Sequence, residues 1–181
     1  MKDRGDKDHD RDDKRKKLVE FSNPNPILTQ GIVPGFKLES SVVFRNTNSQ
    51  PKDYVSETWT KGSATTPYFI YVTLHPLSNQ TEALAVAKAD YYATTEKNQI
   101  VALGKPTPGS YSGQPIGDFC WAYTVAAPQN GTSSSVVVIN GNYLFDLLIT
   151  GPSGVDNSFT EATAKAIVDR LKDWRRPDCD H

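Results

Sequence analysis

Three histidines, two cysteines, a Gly-Pro-Ser-Gly segment and a carboxylate inside an apolar run are the residues of this 181-residue sequence with chemistry to offer. His9 and His181 sit in the charged ends, and His75 stands before Pro76 at the end of an apolar run. A zinc site needs imidazole, thiolate or carboxylate ligands at short spacings on a regular element. None of the three histidines has such a neighbour, so no metal or other cofactor is expected. Gly151-Pro152-Ser153-Gly154 fits neither G-x-S-x-G, which lifts a serine nucleophile on a strained turn, nor G-x-x-x-x-G-K-[ST], which wraps phosphates. Its glycine and proline content reads as a turn that stops a strand. Asp146 lies in the apolar run Tyr143–Ile149, where a buried unpaired carboxylate is costly. It is expected to face solvent or a polar rim, or to pair with a basic group; the sharper alternative is a pocket carboxylate. Trp59, Trp121 and Tyr123 are core aromatics or, alternatively, an aromatic binding surface. No catalytic residues assemble from these parts, and the ligand-binding residues stay unassigned.

Cys120 and Cys179 allow one disulfide at most. Cys120 shares a strand face with Asp118, Ala122 and Thr124, and Cys179 follows the terminal helix by a few residues. If that helix covers the Cys120 face near the sheet end, the two Cα atoms come within the roughly 7 Å that a bridge requires. Only an exported protein would keep it. Asn79-Gln80-Thr81 and Asn130-Gly131-Thr132 are glycosylation sequons, relevant only in a eukaryotic secretory pathway.

The densely apolar stretch from Phe119 to Trp174 must position whatever site there is. Strands are predicted over Asp118–Ala126, Ser133–Asn140 and Asn142–Thr150, with Asn140-Gly141 as a tight hairpin signal and Pro128-Gln129-Asn130-Gly131 as a longer turn. A helix from about Phe159 to Trp174 follows, with Ser158 and Glu161 as its capping box. Its expected buried stripe is Phe159, Ala162, Ala166, Ile167 and Trp174, with Lys165, Asp169, Lys172 and Asp173 turned away. Pro177 marks its end.

Upstream, Leu18–Phe21 reads as a short strand or docking segment, and Asn23-Pro24-Asn25-Pro26 breaks regular structure. Pro34-Gly35 turns into a strand over Phe36–Arg45, with Phe36, Leu38, Val42 and Phe44 on one face at period two. Val55–Thr60 is a short strand with Val55 and Trp59 on one side. Tyr68–Leu74 alternates Tyr68, Ile70, Val72 and Leu74 against Phe69 and Tyr71. Apolar on both faces, it belongs at the sheet centre. Asn79 and Glu82 cap a first helix running to about Thr94, Ile100–Leu103 is a short strand, and Gly104–Gly117 is an irregular connection with Tyr111 in a brief strand.

Of residues 1–17, fourteen are charged, eight Lys/Arg and six Asp. Such a segment buries too little apolar surface to offset the entropy of ordering, and reads as a disordered tether. Lys14-Arg15-Lys16-Lys17 as a nuclear-localisation signal and Asp8-His9-Asp10 as a weak cation site are the sharper readings. The remaining residues hold twelve Lys/Arg and fifteen Asp/Glu, a balance that does not suggest nucleic-acid binding by net charge, and no nucleic-acid partner is expected. No run reaches the length of a membrane span, and no signal peptide is legible. The expected division is a charged tail and linker over 1–33, one domain over 34–176, and a short C-terminal tail over 177–181.

These elements imply an α+β fold: a mostly antiparallel sheet with a helix on each face, an α/β/α sandwich. Phe119-Cys120-Trp121-Ala122-Tyr123, Val136–Ile139, Gly141-Asn142-Tyr143-Leu144-Phe145 and Phe159 at the start of the last helix resemble the PsbP-like family in its aromatic strand, its G-x-x-Y/F strand start and its closing helix. That resemblance implies a scaffold or binding module more than a catalyst. It carries over no metal-site or partner-contact residue. The expectation is therefore a non-catalytic binding or assembly module for an unknown protein or small ligand. It is expected to be extracytoplasmic and tethered, with a possible membrane tether through a processed N-terminus. The alternatives are a small hydrolase with a dispersed active site, or a cytoplasmic or nuclear accessory protein.

Overall fold

The structure, a computed structural model, describes residues 18–46, 53–82, 85, 110–111, 114–127, 131–152 and 155–175. Its strands are β1 (Leu18–Ser22), β2 (Lys37–Asn46), β3 (Asp53–Ser63), β4 (Thr66–Pro76), β5 (Ser110–Tyr111), β6 (Gln114–Pro115), β7 (Phe119–Ala127), β8 (Gly131–Asn140) and β9 (Tyr143–Thr150). Helix α1 spans Asn157–Leu171. Seven strands pair antiparallel in the order β1-β2-β3-β4-β9-β8-β7, and β5 pairs with β6 separately. The chain is thus of the α+β class with an antiparallel sheet, and β4 lies at its centre as the two-sided apolar pattern of Tyr68–Leu74 predicts. Tyr111 does fall in a brief strand.

Val43, Val55, Leu74, Phe145, Val138 and Cys120 lie in one register row across six strands, all within 1% of complete burial. This row belongs to the face covered by α1, hereafter the helix face. Ile167, Ala164 and Leu171 of α1 and the following Trp174 join its core, as do Ile27, Leu28, Val33 and Phe36 from the segment between β1 and β2. On the opposite face Leu144, Ile139, Val137 and Ser135 are buried over β8 and β9, while Tyr71 on β4 is 37% exposed. The opposite face of β4 is therefore less covered than its apolar pattern implies.

Four local readings are corrected by the structure. Residues 18–33, set apart from the domain as linker, belong to the fold: β1 is an edge strand, as Leu18–Phe21 allowed, and Ile27, Leu28 and Val33 are completely buried. In β2 a bulge between Leu38 and Ser40 reverses the face parity. Leu38 and Val43 therefore face the core, while Val42 and Phe44 go to the other side, where Phe44 stacks on Tyr54 at 4.7 Å. In the β8–β9 hairpin Asn140 pairs with Tyr143, so the two loop residues are Gly141 and Asn142, one position later than the Asn-Gly signal suggests. Gly141 takes φ +60°, and its N–H is held by Asp118 Oδ2 at 2.7 Å.

The fourth correction concerns α1. Its N-cap is Asp156, whose carboxylate accepts from Ser158 N at 2.9 Å and Ser158 Oγ at 2.7 Å. Ser158 is thus inside the helix, and the buried stripe is Thr160, Thr163, Ala164, Ile167 and Leu171. Ala162 is exposed, and Phe159 and Ala166 are half-buried. Only Ile167 and, beyond the helix end, Trp174 keep their expected burial. At the C-terminal end Trp174 Nε1 donates to Asn25 O at 2.9 Å, Arg170 donates to Asn25 Oδ1 at 3.1 Å, and Asn25 Nδ2 donates to Arg175 O at 3.0 Å. The helix end and the Asn23–Pro26 segment therefore clasp each other.

The first turn of another helix begins at Gln80. Asn79 Oδ1 accepts from Glu82 N at 2.9 Å, as a capping box requires, and Glu82 Oε2 reaches back to Ser78 N at 3.0 Å. The rest of that expected helix, the strand at Ile100–Leu103, residues 1–17 and residues 177–181 lie outside the described residues.

Candidate functional site

The helix face has two covers, the Asn23–Phe36 segment over β2 and β3 and α1 over β8 and β9, and a cleft of about 510 Å³ opens where they meet at one end of the sheet. Pro34 and Phe36 line it from the first cover, Val155, Asp156 and Phe159 from the second, and Lys61, Tyr68 and Ile149 from the sheet between. Lys61 and Tyr68 face each other across β3 and β4. The Phe36 and Phe159 rings are stacked, with centroids 6.0 Å apart and planes 14° from parallel. The volume and the aromatic lining with few polar groups are those of a small-molecule pocket.

Tyr68 is fixed from behind. A Cβ on Gly151 would come within 2.2 Å of the Tyr68 ring, so the ring occupies space that any side chain at 151 would need. Gly151→Ala is therefore expected to displace Tyr68 or the β9 end and to cost about 1–3 kcal/mol, as overpacking does. Comparing urea unfolding midpoints of the two proteins checks this.

The two charged groups of the cleft differ in what they are free to do. Both Asp156 oxygens are engaged by Ser158, and those hydrogen bonds hold its carboxyl below the usual carboxylate range. The exposed Lys61 ammonium lies 5.6 Å from the Phe36 ring centroid. It meets no carboxylate among the described residues.

Deeper in the same face is a carboxylate that sequence reasoning passed over. Glu57 lies between Val55 and Trp59 on β3, completely buried. One oxygen accepts from Ile27 N and from Ser41 Oγ at 3.1 Å; the other accepts from Leu28 N at 3.1 Å and Trp59 Nε1 at 3.2 Å. The crossing segment buries backbone N–H groups with no strand beside them, and buried N–H groups need acceptors. Glu57 supplies them. Burial nevertheless outweighs these four donors and raises its pKa. The visible signal was period two: if Val55 and Trp59 point inward, so does residue 57.

Comparison with known proteins finds no matching family model, curated protein or solved structure. The site must therefore be read from its own residues.

Of the described residues singled out from the sequence, Trp59 meets Glu57, Phe159 lines the cleft and Gly151 packs behind its Tyr68 wall. Trp59 is a core residue, 3% exposed, with its indole N–H spent on Glu57. Asp146 lies half-buried on the opposite face and accepts from the buried Ser135 Oγ at 3.1 Å. The side chains of Trp121 and Tyr123 lie outside the described residues, as do His9, His181, Ser153 and Gly154. His75 ends β4 on the opposite face, its ring 5.4 Å from that of Tyr54. Among the described residues no three His, Cys, Asp or Glu side chains are grouped to hold a metal. No described helix is long and apolar enough to cross a membrane.

Cys120 is a completely buried thiol opposite Val138 on β8. Its expected partner, Cys179, lies outside the described residues. Burial, helped by the nearby Glu161 carboxylate, pushes the Cys120 thiol up to about 12. Thiolate, not thiol, is the reactive form. The Cys120 peptide should therefore stay unlabelled by iodoacetamide at pH 8 in the folded protein and label rapidly in denaturant under reducing conditions, as read by peptide mass spectrometry.

Proposed function

We propose that this chain is a non-catalytic binding module that takes its ligand in the cleft between Pro34, Phe36 and the start of α1. The observation that carries the reading is the cleft itself. Three aromatic rings from three separate elements converge on a volume of small-molecule size, and its charged lining groups are the Asp156 carboxylate and the Lys61 ammonium. Such a lining offers contact area and orientation, whereas hydrolysis asks for a nucleophile within hydrogen-bond reach of a base.

On this reading the domain is a three-layer α/β/α sandwich similar to the PsbP-like family, with a second helix over the opposite face. The capped turn at Gln80 and the burial of Leu144, Ile139 and Val137 support that arrangement. The charged N-terminal segment serves as a spacer holding an exported domain. The modest lysine content of residues 18–181 and the resemblance favour export.

The test is a small-molecule screen by thermal shift, run beside esterase, phosphatase, peptidase and glycosidase substrates. Binders whose shift disappears in Phe159→Ala support the module. Turnover that disappears on replacing one cleft residue overturns it. Fractionating the native gene product tests export separately.

A further inference from the structure

The module reading leaves open what the cleft selects, and its rim narrows the choice. Resting on that reading, we propose that the cleft selects a small aromatic anion, a one- or two-ring arene carboxylate. Its ring would lie against the Phe36, Phe159 and Tyr68 side chains, and its carboxylate would meet the Lys61 ammonium.

The aromatic part follows from the lining. Phe36 and Phe159 already stack at 6.0 Å, so their planes define a slot orientation that a flat ring extends by offset stacking. Tyr68 presents a third ring whose position is set by Gly151 behind it. Ile149, Val155 and Pro34 complete an apolar wall. A flat rigid body meets such a wall with little loss of internal freedom, whereas a flexible chain must give up rotamers.

The anionic part follows from an inventory of the charges. Asp156 accepts from Ser158 N on one oxygen and from Ser158 Oγ on the other, and its negative charge is already offset at the N-terminus of a fifteen-residue helix, where the dipole favours it. A ligand cation there would share a carboxylate that the helix end and Ser158 already stabilise. Lys61 has no acceptor among the described residues, and its ammonium sits beside the Phe36 ring at the rim. A carboxylate arriving there gains a charge-assisted hydrogen bond without breaking one.

Three ligands of one shape and three charges test this: 2-naphthoate, 2-naphthylmethanol and 2-naphthylmethylammonium. Binding of each to the full chain is measured by calorimetry at pH 7.5 and low salt. The expected order puts the naphthoate about tenfold tighter than the neutral alcohol, the worth of one charge-assisted hydrogen bond, with the ammonium weakest. Lys61→Met should bring the naphthoate down to the affinity that the same variant shows for the alcohol, while Lys61→Arg should keep the preference. Lys61 is exposed, so both variants are expected to fold, and unfolding midpoints equal to that of the wild type check it. Equal affinity for all three ligands, an ammonium preference, or a naphthoate preference that survives Lys61→Met overturns the anion selection and leaves the binding module standing. Absence of binding by every one of the three overturns the arene-carboxylate selection, while the module itself stands or falls on the small-molecule screen.

Discussion

Replacing Glu57 by glutamine is expected to lower the unfolding free energy by about 3–5 kcal/mol, a large share of what a domain of this size has. The carboxylate accepts four hydrogen bonds, two on each oxygen, and every one of its donors is itself buried. An amide keeps one accepting oxygen. Its NH₂ then confronts two donors on the other side, Leu28 N–H and Trp59 Nε1–H or the equivalent pair, and leaves them unsatisfied. Glu57→Ala leaves all four donors unpaired and adds a cavity, so it should cost at least as much.

The pH dependence supplies a second readout with a definite sign. Burial raises the Glu57 pKa in the folded state. As pH falls through that raised value toward about 4.5, the folded protein takes up the proton before the unfolded chain does, and stability is gained; it is lost again as pH rises. The gap between wild type and Glu57→Gln should therefore widen as pH falls through the raised value toward about 4.5, measured by urea unfolding at a series of pH values. A cost below 1 kcal/mol would show that the crossing segment finds other acceptors.

That segment also shows where sequence stops informing structure. Strand existence was legible almost throughout, because Tyr68–Leu74 and Val55–Thr60 are short apolar runs rich in β-branched and aromatic residues, and Asn140-Gly141 marks a hairpin between Ser133–Asn140 and its neighbour. Parity within a strand was less secure. One inserted residue at the β2 bulge sends Val42 and Phe44 to the opposite face from Phe36 and Leu38, and nothing in their side chains announces it. The cap of α1 was misplaced by two residues because Asp156 and Ser158 are both good capping types, and only backbone geometry decides between them. The buried stripe is turned by roughly one residue from the expected one, because Thr160 and Thr163, polar by type, take positions that the apolar pattern assigned to Phe159 and Ala162.

The candidate site was the least legible. Its lining comes from positions 34–36, 61–68 and 149–159, which share no motif and meet only because β3, β4 and β9 end together. Glu57 was hidden for a different reason. Carboxylates are rarely buried, and the donors that make this one tolerable are backbone groups about thirty residues away, which carry no side-chain signature. In both cases the information lies in long-range contact.

The second large effect is the loss of stability on mild acidification, and it is assigned to His75. Its ring is largely buried beside Tyr54, and its Nδ1 is buried without a hydrogen-bond partner among the described residues. Burial lowers its pKa from 6.5 to about 4. The unfolded chain takes up the proton near 6.5 while the folded protein refuses it until about 4, so stability is lost as pH falls through that interval. Between pH 7.5 and pH 5 the loss amounts to about 2 kcal/mol, approaching about 3 kcal/mol below pH 4. Glu57 acts with the opposite sign over part of this range, so the total pH dependence of the wild type understates each. The clean quantity is the difference between wild type and His75→Phe, in which Glu57 and every distant group cancel. Phenylalanine retains a flat ring against Tyr54 and has nothing to titrate. His75→Phe is expected to gain about 2 kcal/mol on the wild type between pH 7.5 and pH 5, whatever its stability at pH 7.5. If the difference is the same at both pH values, His75 accepts its proton freely in the folded state, and the ring is not enclosed as the structure places it.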